Sequence, residues 1–451
     1  MARLIFGRRC TFRRVVCGLV CSLIIFQIYS FIVRIYVEIG KIKRNSLPGF
    51  HPLLHELVEP EGLTLLPPFG FRDPDKVNLF DEFLNQSSLL RNIFFPDHAA
   101  FVDPIDPRKD LDNGSLYYYP GRIWLDTDGH RIEAHGGGIL YDERSRTYYW
   151  YGEYKNGPTY RAGGMGVARV DIIGVGCYSS KDLWTWKNEG IVLVGEEKNT
   201  THDLYKLNVL ERPKVIYNDK TGIYVMWMHI DDAAYTKASV GIAVSKSPTG
   251  PFEYRYSLRP HGFDSRDMTI FKDDDGVAYL IYSSLRNKEL HLGPLNEDYL
   301  HVTNVMAKAL VGQHREAPAL FKHQGVYYMV TSGCSGWAPN EALVHGAKSM
   351  LGPWETIRNP CMGANAVFRI ATFFAQGTFV LPMPGGIPGS FIFMADRWNP
   401  SNLRDSRYVW LPLTVRATEE WYNGFPLKSR INEKHLIMEG LLKIIDYFPE
   451  E

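Results

Sequence analysis

The chain has 451 residues and an even charge balance, 50 basic against 50 acidic, which argues against a nucleic-acid partner for the chain as a whole. Its length allows one large core or two modest ones. The 26 Tyr, 24 Phe and 10 Trp favour strands, and they are also the side chains that stack on sugar rings.

In chain order, Val15–Val33 is a 19-residue uncharged run, long enough to span a bilayer as a helix. Arg8, Arg9, Arg13 and Arg14 precede it, and a looser set with Glu38 among it follows (Arg34, Lys41, Lys43, Arg44). The tighter cluster predicts a cytoplasmic tail over 1–14, a signal-anchor over 15–37 and a type II topology. A cleaved signal peptide is the alternative, but no small-x-small site follows the run. So short a span suits thin early-secretory membranes, and the expected location is the Golgi membrane with the body in the lumen. Sequons at Asn85, Asn113 and Asn199 all follow the span. Cys10, Cys17 and Cys21 lie in the tail and span, so only Cys177, Cys334 and Cys361 are in the body, enough for one disulfide.

Residues 38–116 are rich in Pro and Leu without clear periodicity and read as a stem, with a short helix around Asp75 to Asn92. From Tyr117 onward, short β-prone runs alternate with Gly, Asn and Asp turns. One phrase recurs, a turn and then a Tyr-rich strand: 146–151, 222–227, 276–282 and 325–330. A second phrase, a strand ending in a Ser-Lys or Ala-Lys turn before an aromatic residue, follows at 179–186, 245–252 and 347–354. A fifth unit fits between Thr378 and Leu413. A β-unit repeated at this spacing predicts an all-β fold, a five-bladed β-propeller over 117–430, with a tail over 431–451.

Propellers bind at the central mouth, so chemistry should recur near the start of each inner strand. Polar groups do stand there: His135 before three glycines, Glu211-Arg212-Pro213, Arg266-Asp267, Glu316-Ala317-Pro318 and Gln376-Gly377. Carboxylates crowded round one axis would raise the pKa of one of them, as a general acid for glycoside hydrolysis requires. Glu316 is the expected acid and Asp267 its charged modulator.

Several phrases in order make the chain recognisable. I-W-L-D-T-D-G, A-H-G-G-G and Y-Y-W-Y-G-E lie within 123–153. L-E-R-P-K-V follows at 210–215, S-R-D-M-T-I-F at 265–271, R-E-A-P-A-L-F-K at 315–322, S-G-C-S-G-W at 332–337 and D-R-W-N-P at 396–400. Over about 117–430 the sequence resembles glycoside hydrolase family 43, and within it the exo-β-1,3-galactanase branch, especially plant members with a Golgi-type anchor. The resemblance implies an inverting, cofactor-free hydrolase that releases galactose from β-1,3-galactan, a partner in polysaccharide or glycoprotein glycan. It implies Glu316 as acid and Asp267 as modulator. Where the family at large carries an Asp base, this chain has Ala134-His135-Gly136. Gln376 falls where the branch places a glutamine in that role, holding the water or acting as an imidic acid, with Glu211 positioning it. Glu153 and Tyr235 match sugar-binding positions, and His135, Arg266 and Trp337 are further candidates, Trp337 as a stacking platform.

Three other functions compete. A glycosyltransferase is suggested by Asp126-Thr127-Asp128 and Asp273-Asp274-Asp275, but both triplets sit in Asp-Gly turns that suit hairpins, and the alternating strand-helix pattern of a nucleotide fold is missing. A galactan-binding propeller without activity and another family-43 specificity, arabinofuranosidase or xylosidase, are the others.

Overall fold

A computed structural model describes residues 106–109, 121–161, 168–361, 369–383, 389–400 and 402–415, with the backbone of 421–422, 425–426 and 429–430. The expected anchor, the stem apart from 106–109, the tail over 431–451, Asn85 and Asn113 lie outside these residues. Among the described residues no helix is long and apolar enough to cross a membrane.

Five four-stranded antiparallel sheets make up the fold. Blade one contains β1 (His135–Asp142), β2 (Thr147–Glu153), β5 (Gly174–Ser180) and β6 (Lys187–Val194), with a separate hairpin of β3 (Thr159–Arg161) and β4 (Ala168–Val170) between β2 and β5. Blade two is β7 (Val209–Asn218), β8 (Ile223–Asp231), β9 (Ser239–Ser245) and β10 (Glu253–Leu258). Blade three is β11 (Met268–Lys272), β12 (Ala278–Ser284), β13 (Glu289–Pro294) and β14 (Ala307–Ala309). Blade four is β15 (Arg315–His323), β16 (Val326–Gly333), β17 (Leu343–Ala347) and β18 (Glu355–Arg358). Blade five takes β19 (Gln376–Pro382), β20 (Ser390–Arg397) and β21 (Arg407–Val415). A short hairpin of β22 (Trp421–Tyr422) and β23 (Phe425–Pro426) then precedes its fourth strand, β24 (Ser429–Arg430).

The recurring Tyr-rich phrases are the second strands. They lie within their sheets and are buried on both faces, so they read as continuous apolar runs. Each is preceded by a hairpin residue with positive φ: Arg146 (48°), Gly222 (71°), Gly276 (82°), Gly325 (76°) and Gly389 (85°). Four of the five are glycine, the residue that takes this conformation without steric penalty. The fifth blade is where the sequence places it.

First strands touch in cyclic order, β1 with β7, β7 with β11, β11 with β15, β15 with β19, and β19 with β1. Five apolar cores fill the wedges between neighbouring blades. The wedge that closes the ring, between blades five and one, is aromatic. There Trp124, Trp150, Trp186, Tyr408 and Trp410 meet with centroids 4.7–6.2 Å apart, mostly edge-on. Each such pair adds about 0.5–1.5 kcal/mol beyond its buried area.

Both acidic triplets are turns. Asp126 accepts the amides of Asp128 and His130 inside a small hairpin, and Asp273 takes Lys322, Tyr327 and the amide of Asp274. The body cysteines Cys177, Cys334 and Cys361 are free, so the one possible disulfide is not formed among them.

Candidate active site

Antiparallel order puts the start of each first strand and the end of each second strand at the same mouth of the ring. The described parts of the loops from second to third strand share that face: 154–161 with 168–173, 232–238, 285–288, 334–342, and 398–400 with 402–406. The five polar positions expected from sequence therefore do converge, and in four of the five first strands a bulge decides where they point; β11 has none. Register shifts lie between His135 and Gly138, Glu211 and Lys214, Glu316 and Ala319, and Gly377 and Phe379. The residue after each of the first three has positive φ: Gly136 (61°), Arg212 (56°) and Ala317 (51°). Such bulges re-aim side chains, and here they do so at the axis.

Glu316 sits half-buried at this mouth. Its Oε2 accepts Asn287 Nδ2 at 2.9 Å, and its Oε1 accepts Gln376 Nε2 at 3.2 Å. Burial, then the charge of Asp267, pushes its pKa up to about 8, against the opposing pull of Arg212. The expected crowding is thus present but second to desolvation. Asp267 is held by Arg212 through two bonds, Nε to Oδ1 at 3.1 Å and Nη2 to Oδ2 at 2.9 Å. Arg212 also donates to Gln376 Oε1 at 2.6 Å and to Gly377 O at 3.0 Å. One guanidinium thereby ties the modulator to the glutamine.

Every hydrogen-bonding position of the Gln376 amide is used. Its oxygen accepts Arg212 and, at 3.0 Å, Trp398 Nε1; its nitrogen donates to Glu316 and, at 3.0 Å, Ser332 Oγ. These bonds, and not the expected Glu211, hold it. Glu211 instead accepts Tyr235 Oη at 2.7 Å and His229 Nδ1 at 3.1 Å, with His229 Nε2 3.0 Å from Asp231. Burial, the largest influence, works to raise the Glu211 carboxyl, yet His229, Lys155 and Tyr235 together outweigh it and hold it at about 2.

Two expected sugar contacts are buried. His135 is 0% exposed, its Nδ1 2.8 Å from Asp396 and its ring stacked on Tyr408 at 4.6 Å. Asp396 also accepts the Gly136 amide, so His135 braces the bulge and does not face the mouth. Glu153 is 3% exposed, with Oε1 on the Arg212 amide at 2.9 Å and Oε2 2.6 Å from Lys155 Nζ. Burial, the leading influence, raises its pKa. Arg266 turns to Tyr235 O at 3.2 Å and lies 3.9 Å from Asp264, without a bond to the acid. Trp337 packs edge-on against Trp398 at 5.1 Å, beside Ala168, Val170 and Leu403. Of the sugar-binding candidates, Tyr235, Arg266 and Trp337 keep partly open positions. Asn199 is exposed between β6 and β7, its Oδ1 accepting the Thr201 hydroxyl at 2.8 Å.

Residues not expected to matter complete the centre: Arg212, Asn287, Ser332, Trp398 and Asp396. Beneath them Lys214 fills the axis, its Nζ donating to Gly136 O at 2.8 Å, and burial followed by the charge of Arg212 brings its pKa down to about 7. Arg212 had a signal in the sequence, since it follows Glu211 as Ala317 follows Glu316. Asn287, in a connection between strands, had none.

A protonated carboxyl facing a saturated amide, with an ion pair between them, suits proton donation to a leaving oxygen. The known proteins most informative here point the same way. Residues 139–366 match the sequence model of Glycosyl hydrolases family 43. No curated protein matches. A solved family-43 β-1,3-galactosidase in complex with galactodeoxynojirimycin is 41% identical, with a TM-score of 0.60, over 69% of this chain and 99% of that one. An exo-β-1,3-galactanase from Phanerochaete chrysosporium, solved with galactose, is 38% identical with a TM-score of 0.59, over 69% of this chain and 66% of that one. An exo-β-1,3-galactanase from Clostridium thermocellum is 38% identical with a TM-score of 0.58, over 68% and 64%. The chain thus spans about two thirds of each galactanase.

Proposed function

Since the chain belongs to family 43 of the glycosyl hydrolases and is a glycoside hydrolase, we propose that it releases galactose from the ends of β-1,3-galactan, with inversion. The observation that carries this reading is Glu316, a carboxyl kept protonated near neutral pH beside the Arg212–Asp267 pair. Glu316 gives its proton to the departing glycosidic oxygen. Asp267, its carboxylate fixed by Arg212, keeps that proton on Glu316 until the transition state.

Water as the nucleophile follows from the state of the other carboxylates. Asp267 is engaged by Arg212, Glu211 by His229 and Tyr235, and Glu153 by Lys155 and the Arg212 amide. None of them is open to attack an anomeric carbon, which disfavours a covalent intermediate. Gln376 is no base near neutral pH, and its role is to hold the water. Glu316 and Gln376 touch at 3.2 Å, whereas an inverting pair spans roughly 6.5–9.5 Å around sugar and water. A galactosyl unit entering between them therefore opens this bond and frees an amide hydrogen. The relatives support the sugar: one was solved with galactodeoxynojirimycin, another with galactose, and the latter, with one glutamate replaced by glutamine, with β-1,3-galactotriose.

Glu316→Gln is expected to cut galactose release about 100- to 10,000-fold with the fold intact, checked by galactose assay and circular dichroism. Full activity in this variant would remove Glu316 from the acid role. The saturated amide of Gln376 favours one second reading, a propeller that binds galactan without cleaving it; tight binding with no release by the native chain would identify it.

The full reading adds a cellular setting: a type II anchor over 15–37, a lumenal body in the Golgi, and N-glycans on Asn85, Asn113 and Asn199. The uncharged run and its basic flank support the anchor, and the exposure of Asn199 supports the third site.

A further inference from the structure

Two turns of this molecule run left-handed for three residues each, none of them glycine. Leu285, Arg286 and Asn287 have φ of 51°, 57° and 61°, and Thr372, Phe373 and Phe374 have 50°, 54° and 59°. Side chains disfavour this conformation, so consecutive examples persist only where surrounding contacts fix them. Each turn leads directly to one member of the catalytic pair. Asn287 donates to Glu316 at 2.9 Å, and Ala375 alone separates Phe374 from Gln376.

The contacts that fix the turns are opposite in sign. In the first, the Asp264 carboxylate gathers donors: Oδ1 takes the Leu285 amide at 2.8 Å and Ser284 Oγ at 3.3 Å, and Oδ2 takes the Arg286 amide at 3.0 Å. In the second, the Arg397 guanidinium gathers acceptors: Nη2 donates to Phe373 O at 2.9 Å and Nε to Phe374 O at 3.3 Å. Arg397 is 2% exposed, and Thr372 Oγ1 adds a bond to Asn340 O at 2.6 Å and accepts the Ala342 amide at 2.7 Å. Asp264 and Arg397 are not bonded to Glu316 or Gln376. Each adds to the few bonds the turn makes itself, Lys288 N to Ser284 O at 2.9 Å in the first and Phe374 N to Ala371 O at 2.8 Å in the second.

We infer that Asp264 and Arg397 are positioning residues, Asp264 aiming Asn287 at the acid and Arg397 setting Gln376 at the water. The inference rests on the proposed roles of Glu316 and Gln376, and it separates the two arms. Protonation matters for a sugar leaving group and not for fluoride, whereas placing the water matters for both.

The test compares β-1,3-galactobiose with β-galactosyl fluoride as substrates of the full chain. Asp264→Ala should lower kcat on galactobiose on the order of 10- to 100-fold and leave the fluoride within about twofold. Arg397→Lys should lower both by similar factors; if it does not fold, Thr372→Val, which keeps volume and removes the tie to Asn340, gives the same reading. On galactobiose alone, the double variant Asp264→Ala/Asn287→Ala should be no slower than Asn287→Ala. Equal losses on both substrates for Asp264→Ala, additive losses in the double variant, or an Arg397→Lys effect confined to galactobiose would overturn the inference. Glu316→Gln is the reference: if it spares fluoride while Asp264→Ala does not, the positioning role fails alone. If it spares galactobiose, the acid assignment fails.

Discussion

The acid role proposed for Glu316 depends on protonation, and its surroundings set the pH at which that holds. Burial and the Asp267 charge bring its pKa to about 8, above the ordinary 4.5, so the competent acid is present below that pH and is lost as pH rises through it. The kcat/KM profile on galacto-oligosaccharide should therefore fall on its alkaline side near pH 8; a fall near pH 5 would mean that the carboxyl is not shielded as described. The place of Glu316 and Asp267 at the mouth was legible in the sequence, because polar groups recur at the start of the inner strands blade after blade. Arg212 had only its place after Glu211 as a signal, which does not show that it touches Asp267, Gln376 and the backbone of blade five. Its inward turn comes with a bulge between Glu211 and Lys214 and a positive φ at Arg212, neither of which shows in the sequence.

Among the elements, the bulged first strands convert a simple repeat into a site. The sequence aligned His135, Glu211 and Glu316 as equivalents, and the backbone agrees, each preceding a residue of positive φ. Their side chains nonetheless differ in fate, because Asp396 draws His135 into the wall while Glu316 stays at the mouth. Partner chemistry across the ring decides that, and no local pattern records it. The glycines after His135 are explained by space: a Cβ on Gly137 would stand 1.6 Å from Tyr151 O, and one on Gly136 2.2 Å from Glu153 Oε1. Gly137→Ala should accordingly destabilise the body by about 3 kcal/mol, read as a lowered urea midpoint, with little activity left in the folded fraction. An unchanged midpoint would show that the bulge has room that the structure does not give it.

For the whole molecule, ring closure depends on one aromatic wedge. The repeats were legible because second strands buried on both faces leave an apolar signature and their hairpins demand positive φ. How the ring shuts was not, since Trp124 precedes the first repeat and meets Trp410 of the last. Trp410→Ala opens a cavity there and should cost about 3–5 kcal/mol, seen as loss of cooperative thermal unfolding or a large fall in its midpoint. A small shift would place the closure elsewhere. The proposed anchor belongs to this scale too: a fluorescent fusion of the full chain should co-distribute with Golgi membranes, and deletion of 1–37 should abolish this. Retention without those residues would contradict the anchor.

Joining Glu316, Gln376 and the galactan reading is a single-displacement release of one sugar at a time. Proton NMR of β-1,3-galactotriose during its first turnovers tests this most directly. Single displacement gives galactose and galactobiose as first products, with the free galactose appearing as the α-anomer before mutarotation. First appearance of β-galactose would contradict attack by water across from Glu316.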